Sequence, residues 1–514
     1  MSVLHSTSVK LRLVVSVGSN ALRALISFFT GLLIARALNP AGYGDLMFLL
    51  GSFVAIRSLL DMGSSSAFFT FLSQRSRGRR FYLVYFSWLA FQFMATLTLL
   101  WLIIPSSLLE KIWVGNSRET VMLAFVATFM QQQVWQLVGQ VGESMRKTVK
   151  VQLMNLTVAL LYFVAILLFS TYGQLSVEKI LLILVFQYVV ATVSAYLFLG
   201  KDHLGSAIEE KSLCEILLDF WKFCKPMLVL ALVGFAYDFA DKWMLQKFGG
   251  AVQQGYFQIS SQFAAVSLLA TASILSVFWK EVAAAWEKQD RARAAMLYRK
   301  VSRVLVMLGA TISGFLLPWS EQIVNMLLGA AYVNAWPVFA IMLLYPIHQS
   351  MGQIGGSMLL AAGQTRQYMI ISVAVMMLSI PVSYVVLAPA SNDWLSGLGL
   401  GALGLACKMV TIGIVSVNIQ AWVIARFGGW KYDWLFQVVG IPLMITLGFI
   451  AKMLSAVLWN ISNASLVELM VSVIIAGLLY MLMVMAAIWR LPWLIGFDRD
   501  EIESLLGRAL YRAV

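Results

Sequence analysis

Residues 136–145 read QLVGQVGESM, and residues 349–358 read QSMGQIGGSM. Six of the ten positions are identical at a spacing of 213: Gln136/Gln349, Gly139/Gly352, Gln140/Gln353, Gly142/Gly355, Ser144/Ser357 and Met145/Met358. The same spacing sets Gly42-Tyr43 against Gly255-Tyr256, and a spacing of 214 sets Gly115 against Gly329. One offset tying three places together marks an internal repeat, and a repeat constrains the architecture more than any single motif does.

Both copies lie inside long apolar runs. Of 514 residues, 61% are hydrophobic and 12% charged, and the mean hydropathy is +0.83. Soluble domains carry about 45–50% apolar and about 25% charged residues. A soluble enzyme, a nucleic-acid-binding module and a disordered regulator are therefore excluded. A membrane-spanning helix takes roughly 20 apolar residues. Such runs fall at 13–35, 46–68, 81–103, 121–141, 153–171, 180–199, 226–245, 256–278, 301–317, 336–362, 368–387, 397–424, 435–453 and 466–489. The run at 301–317 is the weakest, being short and flanked by Arg299, Lys300 and Arg303. Cys214, Cys224 and Cys407 are too scattered for a disulfide framework or a metal site.

The net charge of +13 is a topology signal. With the N-terminus cytoplasmic, 27 of the 37 Lys and Arg fall on the cytoplasmic side, 7 on the other side and 3 inside spans. The largest inside groups are Arg75, Arg77, Arg79 and Arg80, and Lys280, Lys288, Arg291, Arg293, Arg299, Lys300 and Arg303. The positive-inside rule then puts both termini in the cytoplasm. Ala35-Arg36-Ala37 mimics a cleavage site, but Arg23 interrupts the apolar core a signal peptide needs, so the first span is expected to stay attached.

The repeat maps spans 1–6 onto spans 7–12. Six is even, so both copies cross in the same direction, as in transporters with a pseudo-two-fold axis along the membrane normal. The expected fold is an all-α polytopic membrane protein of about 14 helices. It comprises an N-lobe (1–200), a cytoplasmic linker (201–225), a C-lobe (226–425), a helix pair (435–489) and a cytoplasmic tail (490–514). Substrate is expected between the halves, with Gln140 and Gln353 as symmetric partners.

Polar groups at bilayer depth are expensive and mark a pathway by default. Ser16, Asn20, Arg23 and Ser27 form a stripe at helical spacing in span 1. Arg57 and Asp61 share a face of span 2. Span 7 carries Asp238, Asp241 and Lys242, and span 12 carries Lys408. Gln132, Gln136 and Gln140 follow at i, i+4 and i+8 in span 4, with Gln349 and Gln353 in span 10. Blander roles stand beside these. Arg57–Asp61 could be an intrahelical pair, Asp241 and Lys242 could snorkel, and the glutamines could bond helix to helix. As a set, Asn20, Arg23, Arg57, Asp61, Gln136, Gln140, Asp238, Gln349, Gln353 and Lys408 predict a slightly cationic cavity. Guanidinium engages phosphate bidentately and amides pair with sugar hydroxyls, so an anionic, hydroxyl-rich substrate fits. Pro346, Gly352, Gly355 and Gly356 predict a kinked or locally unwound span 10. His5, His203 and His348 lie far apart, and no phosphate loop, metalloprotease motif or nucleophile elbow appears. No enzyme and no cofactor are expected.

The stretch Ala35-Arg36-Ala37-Leu38-Asn39-Pro40-Ala41-Gly42-Tyr43-Gly44, followed by Asp61-Met62-Gly63, resembles the opening of the O-antigen (Wzx-type) repeat-unit flippases. These belong to the multidrug/oligosaccharidyl-lipid/polysaccharide (MOP) exporter superfamily. The resemblance continues through Asp241-Lys242, Gly255-Tyr256-Phe257, residues 328–335, residues 362–366 and residues 399–406. It implies fourteen spans in two six-helix lobes plus a pair. It further implies a bacterial inner-membrane exporter of undecaprenyl-diphosphate-linked oligosaccharide, working beside polysaccharide polymerase and chain-length partners, with no nucleic acid involved. A multidrug cation antiporter, a peptidoglycan-precursor flippase and a membrane polysaccharide polymerase are the competing readings.

Overall fold

The computed structural model describes residues 9–173, 175–199, 211–391, 395–458, 466–501 and 503. Helices stand at all fourteen places read as spans, and no strand occurs among the described residues. Eleven helical stretches are long and apolar enough to cross a membrane, the first of them, Val15–Asp61, running to 47 residues.

That first stretch holds two spans. Asn39 leaves helical geometry at φ 57° and ψ 173°, with Pro40 directly after it. Proline disfavours the helical region for the residue before it, and asparagine tolerates positive φ better than most residues. Gly250 breaks the seventh helix from the eighth in the same way, at φ 78° and ψ 175°. These two breaks are 211 residues apart. Later pairs of positive-φ residues lie further apart, Gly115 and Gly329 by 214 and Arg146 and Gly363 by 217. The repeat therefore drifts in register. The matched segments sit one turn differently on their helices: Met145 caps the first, whereas Met358 lies four positions before the cap at Ala362.

The chain forms two compact units, Met1–Ile259 with Met376–Leu405, and Ser260–Val375 with Ala406–Val514. In the first, Val9–Asp61 packs along Thr148–Thr171 and Leu228–Met244. In the second, Arg291–Leu316 is the central helix, against Leu435–Leu458 and Tyr345–Ala361. A Cβ on Gly314 would stand 2.7 Å from the Met444 carbonyl oxygen, and one on Gly448 would overlap the Gly314 carbonyl. Tyr480, 1% exposed, donates to the Thr311 and Met444 carbonyls at 2.9 and 3.2 Å. The thirteenth and fourteenth helices are thereby locked onto the ninth.

The tenth span breaks earlier than its glycines suggest. The turn falls at Leu343–Leu344, and Pro346 takes the first turn of Tyr345–Ala361, where its missing N–H is harmless. Gly352, Gly355 and Gly356 stay helical, because they are close-approach sites: an added Cβ would reach Val417 at 2.9 Å from Gly352 and the Gln420 side chain at 2.5 Å from Gly355.

Candidate functional site

Within the first unit, the Arg57 guanidinium donates from Nη2 to Gln136 Oε1 at 2.5 Å. Its Nε is buried without a partner. The intrahelical pair with Asp61, the blander alternative, is not made. Asp61 ends its helix and caps the next one, Ser64–Gln74: its oxygens accept from the Ser64 hydroxyl (3.1 Å), the Ser65 hydroxyl (2.8 Å) and the Ser65 backbone N–H (3.0 Å). The sharp turn at Met62 and Gly63, both at positive φ, brings those donors round. Among the described residues, Arg57 thus meets an amide and no carboxylate.

Asn20, Arg23 and Ser27 lie on the exposed side of the first helix. Arg23 stands within electrostatic reach of Tyr188, whose hydroxyl accepts from Gln131 Nε2 at 3.1 Å. Gln140 is half-buried with its Oε1 unpartnered. Asp238 is exposed, and its backbone carbonyl accepts from Lys242 Nζ at 3.0 Å. Asp241 accepts from Ser383 at 2.5 Å.

Spacing alone does not single out Gln131 and Gln133. The helix widens into a π-turn over Met130–Val134. One extra residue in that turn rotates every side chain beyond it about the helix axis. The i, i+4, i+8 reading of Gln132, Gln136 and Gln140 is therefore out of phase across the turn, and Gln133 is the buried one, 4% exposed.

The second unit holds Gln349, Gln353 and Lys408. Both glutamines are half-buried, and Lys408 is 4% exposed in the first third of Gly401–Gly428. His348 is buried with Nδ1 unpartnered. Gln420 is a further polar group that the sequence does not reveal. With its amide oriented to satisfy both neighbours, it donates to the Gly352 carbonyl (3.1 Å) and accepts from the Gly356 N–H (3.3 Å). A lone glutamine opposite a glycine cluster gives no spacing signal, because the partner lies on another helix.

No family model matches the chain, and no curated protein matches it. Solved structures do. The lipid II flippase MurJ in an inward closed conformation is 13% identical, with a TM-score of 0.68, covering 93% of this chain and 99% of its own. An inward-facing multidrug resistance MATE family transporter of the MOP superfamily is 15% identical, with a TM-score of 0.60 and coverage of 79% and 96%. A MOP superfamily transporter from Pyrococcus furiosus with a binding pocket of reverse polarity is 14% identical, with a TM-score of 0.53 and coverage of 82% and 95%. At these identities the likeness is one of fold. The chain is a multi-pass membrane protein with the fold of the MOP transporters.

Proposed function

We propose that this protein is a flippase that carries an undecaprenyl-diphosphate-linked oligosaccharide repeat unit from the cytoplasmic to the outer leaflet of a bacterial inner membrane. The observation that carries the reading is the Arg57–Gln136 contact. A guanidinium at span depth with an amide for its partner keeps a net positive charge, and such a charge calls for an anion. In this reading Arg23 and Arg57 engage the diphosphate, and Asn20, Gln136 and Gln140 address sugar hydroxyls. Asp61 and Asp238 limit the local excess of charge, and Gln349, Gln353 and Lys408 supply the same amide and cationic chemistry in the second unit. Both termini face the cytoplasm, and polymerase and chain-length partners act on the product outside.

A multidrug antiporter for cations fits poorly beside a guanidinium that has an amide and no carboxylate as its hydrogen-bond partner. A peptidoglycan-precursor flippase is the second reading, and it shares the fourteen-helix fold. The 93% of this chain covered by the MurJ structure exceeds what the first twelve helices, ending at Gly428, could supply. The test is the lipid that accumulates when the protein is deleted. Lipid-linked repeat units trapped on the inner leaflet support the proposal. Trapped muropeptide precursors would replace it with the second reading, and single repeat units already outside would indicate a polymerase.

A further inference from the structure

The helices Thr148–Thr171 and Val177–Leu199 pack side by side in the first unit, and their outer faces leave a groove of about 1000 Å³. Lys150, Leu161 and Phe169 line it from one helix, and Leu182, Phe186 and Phe198 from the other. The groove is open and greasy: Phe186 is 72% exposed and Phe198 73%. Three of its polar members already have hydrogen-bond partners. Thr157 donates to the Leu153 carbonyl, Gln187 Nε2 to the Val158 carbonyl, and the Trp135 indole to Asn155.

Two features identify an occupant. The first is length. From Lys150 to Phe169 the helix rises about 28 Å at ~1.5 Å per residue, close to the full hydrocarbon thickness of about 30 Å. An ordinary phospholipid chain belongs to one leaflet and fills half of that. The second is charge asymmetry. Lys150 is the one charged residue in the lining and stands at one mouth, with Arg146 and Lys147 just outside it, while the mouth at Phe169 and Leu182 is flanked by Glu178 and Lys179, whose charges offset each other. Two phospholipids end to end would need a polar mouth at each end. One long chain with one anionic head needs a single basic mouth.

We propose that this groove seats the chain of a single polyisoprenyl phosphate or diphosphate, its head at Lys150 on the side that the basic loops put in the cytoplasm. The assignment rests on the reading of the substrate as lipid-linked, and it adds a docking surface on the fifth and sixth helices whose lining includes neither Arg23 nor Arg57.

The test uses the full-length protein in phosphatidylcholine vesicles with a benzophenone-bearing polyisoprenyl phosphate of undecaprenyl length. After illumination, cross-links should map to peptides within 153–169 and 182–198. Unlabelled long-chain polyisoprenyl phosphate should compete, and dioleoyl phosphatidic acid should not. Lys150→Glu, an exposed change, should weaken labelling roughly tenfold, and Thr157→Trp, which fills the groove from an exposed position, should abolish it. Equal competition by phosphatidic acid would make the groove an ordinary lipid seat and overturn the proposal. Cross-links elsewhere, or labelling indifferent to both substitutions, would overturn it too. Failure is separable from that of the flippase reading: transport without groove labelling sinks only this proposal, and groove labelling without transport sinks only the other.

Discussion

Gly44 and Gly255 lie at one helix crossing, each against the other helix's backbone. A Cβ on Gly44 would overlap the Ala251 carbonyl, and one on Gly255 would overlap the Pro40 carbonyl. The pairs 40/251 and 44/255 share the 211-residue spacing of the breaks at Asn39 and Gly250. The crossing is thus symmetric in itself, and no side chain fits in it. Gly44→Ala and Gly255→Ala should each lower stability by roughly 1–3 kcal/mol or more, the usual result of overpacking a close contact. Gly18→Ala is the control, since a Cβ there meets nothing within 4 Å. Thermal midpoints of the purified proteins in detergent decide the matter. Equal midpoints for all three would mean that the helices do not touch there.

Arg57 and Gln136 should be energetically coupled. Hydrogen bonds to charged groups contribute about 1.5–3 kcal/mol, so a double-mutant cycle with Arg57→Ala and Gln136→Ala should return a coupling of that order. Gln136→Glu separates folding from function. It gives Arg57 a carboxylate, so stability should hold or rise, while neutralising the local charge should cut transport of an anionic lipid. Undiminished transport by Gln136→Glu would remove the charge argument.

Orientation has a direct check. Cysteines introduced at Ser76 and Gln289 should resist an impermeant maleimide in intact cells and react after permeabilisation, because both sit among the basic groups assigned to the cytoplasm. Ready labelling of intact cells at both sites would invert the topology.

The span positions were legible because a run of apolar residues is a statement about solvent and needs no partner. All fourteen carry helices. The repeat was legible too, but its register was not. Insertions move the spacing from 211 to 217 along the chain, and a six-in-ten sequence match cannot see them. Site geometry was harder to read. Arg57 and Asp61 are one turn apart, yet Asp61 accepts from Ser64 and Ser65, since the chain reverses at Met62-Gly63 and presents a helix N-terminus. Periodicity assumes an unbroken α-helix, and the π-turn at Met130–Val134 breaks that assumption where the glutamines lie. Gln420 and Tyr480 act across helices and carry no signal within their own.

Cys224 offers a pH-dependent readout outside the spans. Burial, with the Asp61 carboxylate adding to it, pushes its thiol up to about 11. The thiolate is the reactive form, so its alkylation by iodoacetamide should stay slow at neutral pH. The rate should climb about tenfold per pH unit until it levels near that value. Asp61→Asn removes the nearby negative charge and should shift the profile to lower pH. A rate that levels off below pH 9 would show that Cys224 is open to water and that Asp61 lies elsewhere.

Arg23 carries the last prediction. It projects from the exposed side of the first helix beside Asn20 and Ser27, within electrostatic reach of Tyr188. An uncompensated charge at mid-span costs about 2.5–3.5 kcal/mol on insertion scales, and an anionic headgroup would offset that cost during transport. The Tyr188 hydroxyl already accepts from Gln131, so its own O–H remains a donor that could join Arg23 on the same phosphate. Lysine keeps the charge and loses the two-pronged fork. Arg23→Lys should therefore retain part of the export and Arg23→Gln almost none, at equal protein levels. Tyr188→Phe, which removes one neutral donor, should fall between wild type and Arg23→Lys. Export by Arg23→Gln at the wild-type rate would make Arg23 a structural group and leave Arg57 to meet the diphosphate without it.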